Sequence, residues 1–371
     1  MKKLMTGLLA LQLLPVAAMA ETGAHHHHDH GHHHHGHHDH ALHVHKTNAP
    51  IGVMGDHMHK KGDWMVSYRY MTMHMDGNRV GTDSISPDEI VTTFPNPSGM
   101  MPSNIRVVPT EMRMDMHMIG AMYAPADWLT LMAMGHYIYK EMDHITYDTG
   151  TGTNRIGTFT TASSGIGDTK FTGLIRLYHD DTHHIHMHAG LSLPTGSIDE
   201  EDDVLAPNSM RMRMRMPYAM QLGSGTYDAL PGLTYTGVRD DWSWGAQYRG
   251  DIRLEDENDE GYSLGDKHML TTWGAYEWTN WLSTSLRLTG TTQDSISGRD
   301  SNIAAPVQTA DPDNYGGEVI EAGLGTKFTI PKGHLKDQVF GVEMTAPLYR
   351  DLNGPQMETD FTLTFGWQHA F

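Results

Sequence analysis

The chain has 371 residues, a formal net charge of -19 at pH 7, no cysteine, and 28 each of histidine and methionine. Without cysteine there is neither a disulfide framework nor a thiolate metal site, and an acidic chain with no basic surface cannot displace phosphate counterions, so nucleic acid is excluded as a partner. Beyond the N-terminal apolar run, no stretch approaches the ~20 apolar residues that a membrane helix requires.

Lys2 and Lys3 open the chain, an apolar run from Leu4 to Ala18 follows, and Ala18-Met19-Ala20 closes it in a small-x-small pattern. The run is too short to span a bilayer. Residues 1–20 therefore read as a secretory signal, with the mature chain starting at Glu21. Residues 21–61 have a composition of their own: HHHHDHGHHHHGHHDH fills 25–40, and His43, His45, His57 and His59 continue the bias. With so little to bury, this stretch is expected to be a disordered periplasmic arm. Neutral imidazole binds Cu(II), Zn and Ni. The candidate ligands are His25, His26, His27, His28, His30, His32, His33, His34, His35, His37, His38, His40, His43 and His45. Interleaved with Asp29 and Asp39, they offer capacity rather than one fixed geometry. No cofactor is expected to be obligatory.

From Gly62 the pattern changes to period two between turn-rich stretches. Strands are predicted near 62–75, 111–124, 127–142, 164–178, 183–195, 216–237, 242–255, 264–278, 281–294, 317–330, 338–348 and 359–371. The expected fold class is all-β: a transmembrane antiparallel outer-membrane β-barrel of about 12 strands over 62–371, preceded by the arm. The short connections APAD (124–127), DDTH (180–183), RDD (239–241) and TN (279–280) alternate with connections at 76–110, 143–163, 196–215, 256–263, 295–316 and 349–358, most of them long. Short turns lie on the periplasmic side of such barrels, so both termini are expected in the periplasm.

The alternation is clearest at the end of the chain. Phe361, Leu363, Phe365, Trp367 and Phe371 share one face, opposite Thr362, Thr364, Gly366, Gln368 and Ala370. An apolar outside and a small, polar inside suit a strand between lipid and a wet lumen. The final Phe371, with alternate aromatics before it, resembles the C-terminal signal read by the barrel-assembly machinery. That machinery, outer-membrane lipid and lipopolysaccharide are therefore expected partners. Leu282, Leu286 and Leu288 likewise oppose Ser283, Ser285 and Arg287, and Ile320, Ala322, Leu324 and Phe328 oppose Glu321, Gly323, Gly325 and Lys327.

GIGDTKFTGLIRLY (165–178) is followed by HAGLSLPTGS (188–197). A G-x-G-D strand start and an L-P-T-G strand end, one hairpin apart, resemble the outer-membrane proteins named after the meta-cleavage pathway of phenol degradation. That family comprises transporters distantly similar to long-chain fatty-acid channels. The resemblance implies a barrel, an outer-membrane location and transport. The His-rich leader and Met-rich strands are not part of that pattern.

Two further groups of residues carry chemistry. HHIHMH (183–188) begins a strand just after a periplasmic turn. Ile185 and Met187 fall on the lipid face, so His184, His186 and His188 share the lumen face as a candidate metal site, with His179 and Asp181 beside it. Met71, Met73, Met75, Met132, Met134 and His136 are expected to point inward, either as apolar filler or as a thioether-lined track for a soft metal. In 112–118 the order inverts: Arg113, Asp115 and His117 form the polar face and the methionines face lipid. Arg211, Arg213 and Arg215 of MRMRMRM are placed to meet lipopolysaccharide phosphate. No G-x-S-x-G, H-E-x-x-H or P-loop occurs, so no enzyme and no catalytic residue is expected. The expectation is a channel or transporter for a small solute or metal ion, copper favoured. A non-conducting metal-sequestering barrel is the alternative, and a transporter of hydrophobic or aromatic compounds or a lipid-modifying barrel enzyme comes behind it.

Overall fold

The computed structural model describes residues 48–371. The expected signal sequence and the histidine runs of 25–45 lie outside the described residues. β1 (Trp64–Gly81) folds back onto β2 (Asp83–Ile85), and a short helix α1 (Pro87–Thr93) follows. Ser86 starts that helix: its hydroxyl accepts from Glu89 N–H while the Glu89 carboxylate returns to the Ser86 N–H, and Pro87 supplies a preset first turn.

The wall continues through β3 (Val107–Ala126) and β4 (Leu129–Tyr147). β5 (Arg155–Ile166) and β6 (Thr169–His179) both pair with β4 in nearly one register, so they form a single wall strand broken at Gly167-Asp168. After β7 (His183–Leu193) comes a separate hairpin of β8 (Glu201–Leu205) and β9 (Arg211–Arg215). The wall resumes with β10 (Asp228–Arg239) and β11 (Trp242–Arg253). β12 (Tyr262–Ser263), β13 (Lys267–Thr279), β14 (Leu282–Gln293), β15 (Ser297–Gly298), β16 (Gly317–Thr329) and β17 (Gln338–Ala370) complete the order, with β12 and β15 paired in a loop.

Every wall pairing is antiparallel, and β17 closes the ring against β1. Trp64 N–H donates to the Phe371 carbonyl and Phe371 N–H returns the bond, both at 2.8 Å. The 33 residues of β17 cannot be one crossing. A strand rises about 3.3 Å per residue, several times too long here for a ~25 Å apolar band. Its first part pairs with β16 and its last part with β1. Gly354, at positive φ, reverses the chain between them, and Trp367 Nε1 reaches Gln338 Oε1 at 3.0 Å across the resulting hairpin. Parity requires this reversal: an odd number of antiparallel crossings cannot close antiparallel. The eleven wall elements thus cross about 12 times.

Outward side chains form the apolar band: Leu131, Phe171, Leu233, Leu270, Leu286, Leu324 and Phe365 are all exposed. A belt of Trp64, Tyr123, Trp128, Trp242, Tyr276, Trp278 and Trp281 rings the end where β1 starts and β17 finishes, as aromatics do at a membrane interface. No helix among the described residues is long and apolar enough to cross a membrane; the crossing is done by strands. At the opposite, loop end, side chains such as Val107, Phe159, Tyr218, Tyr262 and Ile303 pack into a dome.

Three sequence expectations shift. The predicted strand at 216–237 begins only at Asp228, because Pro217, Gly223 and Gly225 break the ladder and 216–227 folds over the inner wall. The connection at 349–358 is a tight turn. Of the stretch assigned to a disordered arm, 48–61 is ordered, and its larger part lies within the barrel.

Candidate functional site

Residues 48–59 run along the inner face as a plug, touching most of the wall in turn. Asn48 Nδ2 donates to Glu277 Oε2 at 2.9 Å, Gly52 N–H to Glu343 Oε2 at 2.8 Å, and His59 N–H to Thr130 Oγ1 at 3.1 Å. Arg69 Nε donates to the Ile51 carbonyl at 2.9 Å, Gln247 Nε2 to that of Met54 at 3.0 Å, and His186 Nε2 to that of Gly55 at 2.8 Å. The chain's own backbone groups are thus satisfied by wall side chains, as a segment with no ladder requires. Ile51 and Val53 are buried at 2% and 4% exposure. The wall makes room for Ile51 with two glycines: a Cβ at Gly366 would stand 2.3 Å from Ile51 Cγ1, and one at Gly341 2.9 Å from Ile51 Cβ. Gly55 sits at positive φ against the His188 ring, where a side chain would fit neither the backbone nor the space.

His184, His186 and His188 share the inner face near the terminal end, opposite Thr236, Thr234 and Gly232 of β10, while Ile185 and Met187 face outward. His188 Nε2 lies 2.8 Å from Thr234 Oγ1, and the His186 and His188 rings are 5.2 Å apart. His179 and His184 stack at 4.5 Å. A cavity of about 40 Å³ separates this cluster from Asp56, His57 and Met58 of the plug. His59 Nε2 is buried with no hydrogen-bond partner among the described residues. Among those residues no group of three or more His, Asp or Glu side chains converges as a metal site. His186 and His188 each commit a ring nitrogen to the protein instead.

The methionines are arranged in rows across β1, β3 and β4. Met75, Met112 and Met142 are cross-strand neighbours, as are Met65, Met122 and Met132. Between these rows lie Met73 with Met114, Met71 with Met116, and Met118 between Arg69 and His136. Arg69 reaches the plug, so its row faces inward, and alternation carries the other rows with it. Met71, Met73, Met75, Met132, Met134 and His136 therefore line the interior. Met112, Met114, Met116 and Met118 do so too, which corrects the expectation that they face lipid. The charges of that strand point outward in their place. Tyr70 OH donates to Asp115 at 2.8 Å, Arg113 pairs with Asp115 at 2.9 Å, and Tyr68 OH lies 2.7 Å from His117 Nδ1. Mutual pairing reduces the penalty that assigned those residues to the lumen.

Facing the methionine wall is a polar one of Thr271, Thr289, Ser283 and Ser285, with Arg287 paired to Glu343 at 2.7 Å. A chamber of about 300 Å³ lies between Met73, Met75 and Met357 on one side and Lys267 and Glu321 on the other. The two motifs that carried the family resemblance form a clasp. Asp168 accepts from the N–H groups of Gly196 at 3.0 Å and Ser224 at 2.8 Å, and Thr195 OH donates to the Gly167 carbonyl at 2.9 Å. Gly196 packs directly on Gly223. This clasp ties the two ends of 197–223 together, and the last part, 216–223, folds inward over the wall. Arg213 pairs with Glu201, and Arg215 with Glu260 and Asp300, of the same chain.

No family model matches the chain, and no curated protein matches it. Among solved structures it is similar to an outer membrane channel from Pseudomonas putida F1, with 13% identity and a TM-score of 0.57 over 86% of this chain and 100% of that one. Looser likenesses are a Pseudomonas aeruginosa FadL homologue (8% identity, TM-score 0.44, 83% and 90% covered) and the Pseudomonas putida toluene transporter TodX (8%, 0.41, 83% and 89%). At such identity the first likeness establishes the fold, that of an outer-membrane β-barrel.

Proposed function

We propose that this chain is a gated outer-membrane channel for a metal cation, copper favoured, with its termini in the periplasm and residues 48–59 as the gate. The observation that carries the reading is the inner wall of thioether rows on β1, β3 and β4. Thioethers favour soft cations such as Cu(I), whereas imidazole suits Cu(II), Zn and Ni. The histidines of 25–45 would gather metal, and the inward rows would receive it. The polar wall opposite keeps the path wet. Plug and dome together also suit a barrel that sequesters metal without conducting.

Reconstitution into vesicles loaded with a Cu(I) or Ag(I) indicator decides between them. Channel activity predicts metal entry that rises when 48–59 are deleted. Absence of flux from both forms, with metal still bound, leaves sequestration. Entry of toluene or phenol without entry of metal would move the cargo to the hydrophobic or aromatic compounds that stand behind metal among the expectations.

A further inference from the structure

The loop end of the barrel is packed in two chemically different ways. The dome uses branched and aromatic residues such as Ile90, Tyr147, Tyr262 and Ile303. Directly beneath it, Met112, Met142, Met216, Met220 and Met357 form one buried cluster, with Met75 packed against it. These side chains arrive from β1, β3, β4, the inward 216–220 segment and β17. A single methionine is a good gap filler. That role does not explain a cluster whose buried members are all methionine when the adjoining dome is built from ordinary branched and aromatic side chains.

We propose that this cluster is a thioether site for a soft monovalent cation of the Cu(I) or Ag(I) type. It deepens the metal-channel reading and rests on it for its purpose. The inward segment is tied to the wall, which fixes the backbone that carries Met216 and Met220. Lys140 Nζ donates to the carbonyls of Ala219 and Gln221 at 2.8 and 2.6 Å, and Ser163 OH donates to that of Met220 at 2.7 Å. The site is reached from the chamber, whose lining shares Met75 and Met357 with it. Neutral ligands next to the Lys140 ammonium disfavour a divalent ion more than a monovalent one, because the repulsion scales with charge. Thioether needs no deprotonation to bind, so the site should hold its ion at pH 5, where imidazole of ordinary pKa ~6.5 is protonated.

The test is Cu(I) titration of the full chain in detergent at pH 5, in competition with a chromophoric Cu(I) chelator, followed by X-ray absorption. The expected result is about one ion per chain in a sulfur-only shell, weakened at least tenfold in M216L/M220L/M357L. Leucine keeps the packing volume, and heat-modifiable gel mobility checks the barrel. M220L alone serves if the triple variant misfolds, and M210L/M212L, in the exposed hairpin, is the control. Unchanged affinity in a folded M216L/M220L/M357L or M220L variant, nitrogen in the shell, or no Cu(I) bound at pH 5 would overturn the site. Loss of metal flux with this binding intact would instead overturn the channel reading.

Discussion

Gly366→Ala should unseat the plug without changing the plug itself. Gly366 lies in β17 opposite Arg69 of β1, at an extended backbone position that alanine can adopt. The new methyl would stand 2.3 Å from Ile51 Cγ1 and 2.8 Å from Ile51 Cδ1, inside contact distance. Ile51 has little room to retreat, because Arg69 holds its carbonyl and Glu343 holds the next N–H. Overpacking of this kind costs about 1–3 kcal/mol, which shifts the ratio of seated to unseated plug roughly five- to over a hundredfold. The chain has no cysteine, so Val53→Cys provides a unique label at a buried plug position. Its reaction with a water-soluble maleimide should accelerate by that factor in Gly366→Ala, and planar-bilayer conductance should rise with it. With Ile51→Ala in the double variant, the acceleration should be smaller than the product of the two single effects, since coupling between touching residues is what a mutant cycle isolates. Equal labelling rates and conductance in Gly366→Ala and its parent would refute the idea that Ile51 in its glycine seat holds the gate shut.

Other expectations follow from the same interior. Replacing His184, His186 and His188 together by Ala removes the bond to the Gly55 carbonyl, so Val53→Cys labelling should accelerate and lose any response to added Zn(II) or Cu(II); Ile185→Ala with Met187→Ala should do neither. At the turn after β6, Tyr178 OH donates to Asp180, and the N–H groups of His183 and Thr182 donate to it as well. These bonds hold its carboxyl well below the usual carboxylate range. A depressed pKa contributes stability above the unfolded value of ~3.9 that is lost only as pH falls through the folded one. Hydrogen exchange at Thr182 and His183 should therefore stay slow at pH 4 and become faster in Asp180→Asn; equal protection in the two would show that the carboxylate does not hold the turn. Deleting Phe371 removes both reciprocal bonds to Trp64 and should lower outer-membrane yield, which cell fractionation measures; a normal yield would make the terminus incidental.

The barrel was legible because burial is two-sided in a simple way. Lipid outside and water inside impose strict alternation, and runs such as Phe361 to Phe371 display it without help from distant residues. The methionine strand was misread for the same reason. A rule that sends charges inward placed Arg113, Asp115 and His117 in the lumen, yet cross-strand partners on β1, Tyr68 and Tyr70, satisfy two of them on the outside. Local sequence cannot display a partner forty residues away. The last strand pair was slightly misread for a local reason: Asn353-Gly354 is a two-residue turn signal embedded in what looked like a longer loop.

The plug was the largest omission, and its physics explains why. A segment judged by its own composition has too little apolar surface to order itself. Residues 48–59 escape that limit because the order is supplied by the wall. Gly341 and Gly366 leave a seat, while Arg69, Gln247 and His186 offer donors to carbonyls that have no ladder. The signal was present on both sides but only as a pair. Ile51-Gly52-Val53-Met54-Gly55 gives small turns and compact apolar groups amid histidines, and glycines stand on the inner face of strands whose other inward residues are polar. An interior held by hydrogen bonds to wall side chains and by one seated isoleucine, rather than by a continuous apolar core, can be released without unfolding the barrel. On the proposed reading the wall that closes the channel also opens it, and a single added methyl at Gly366 is enough to ask whether it does.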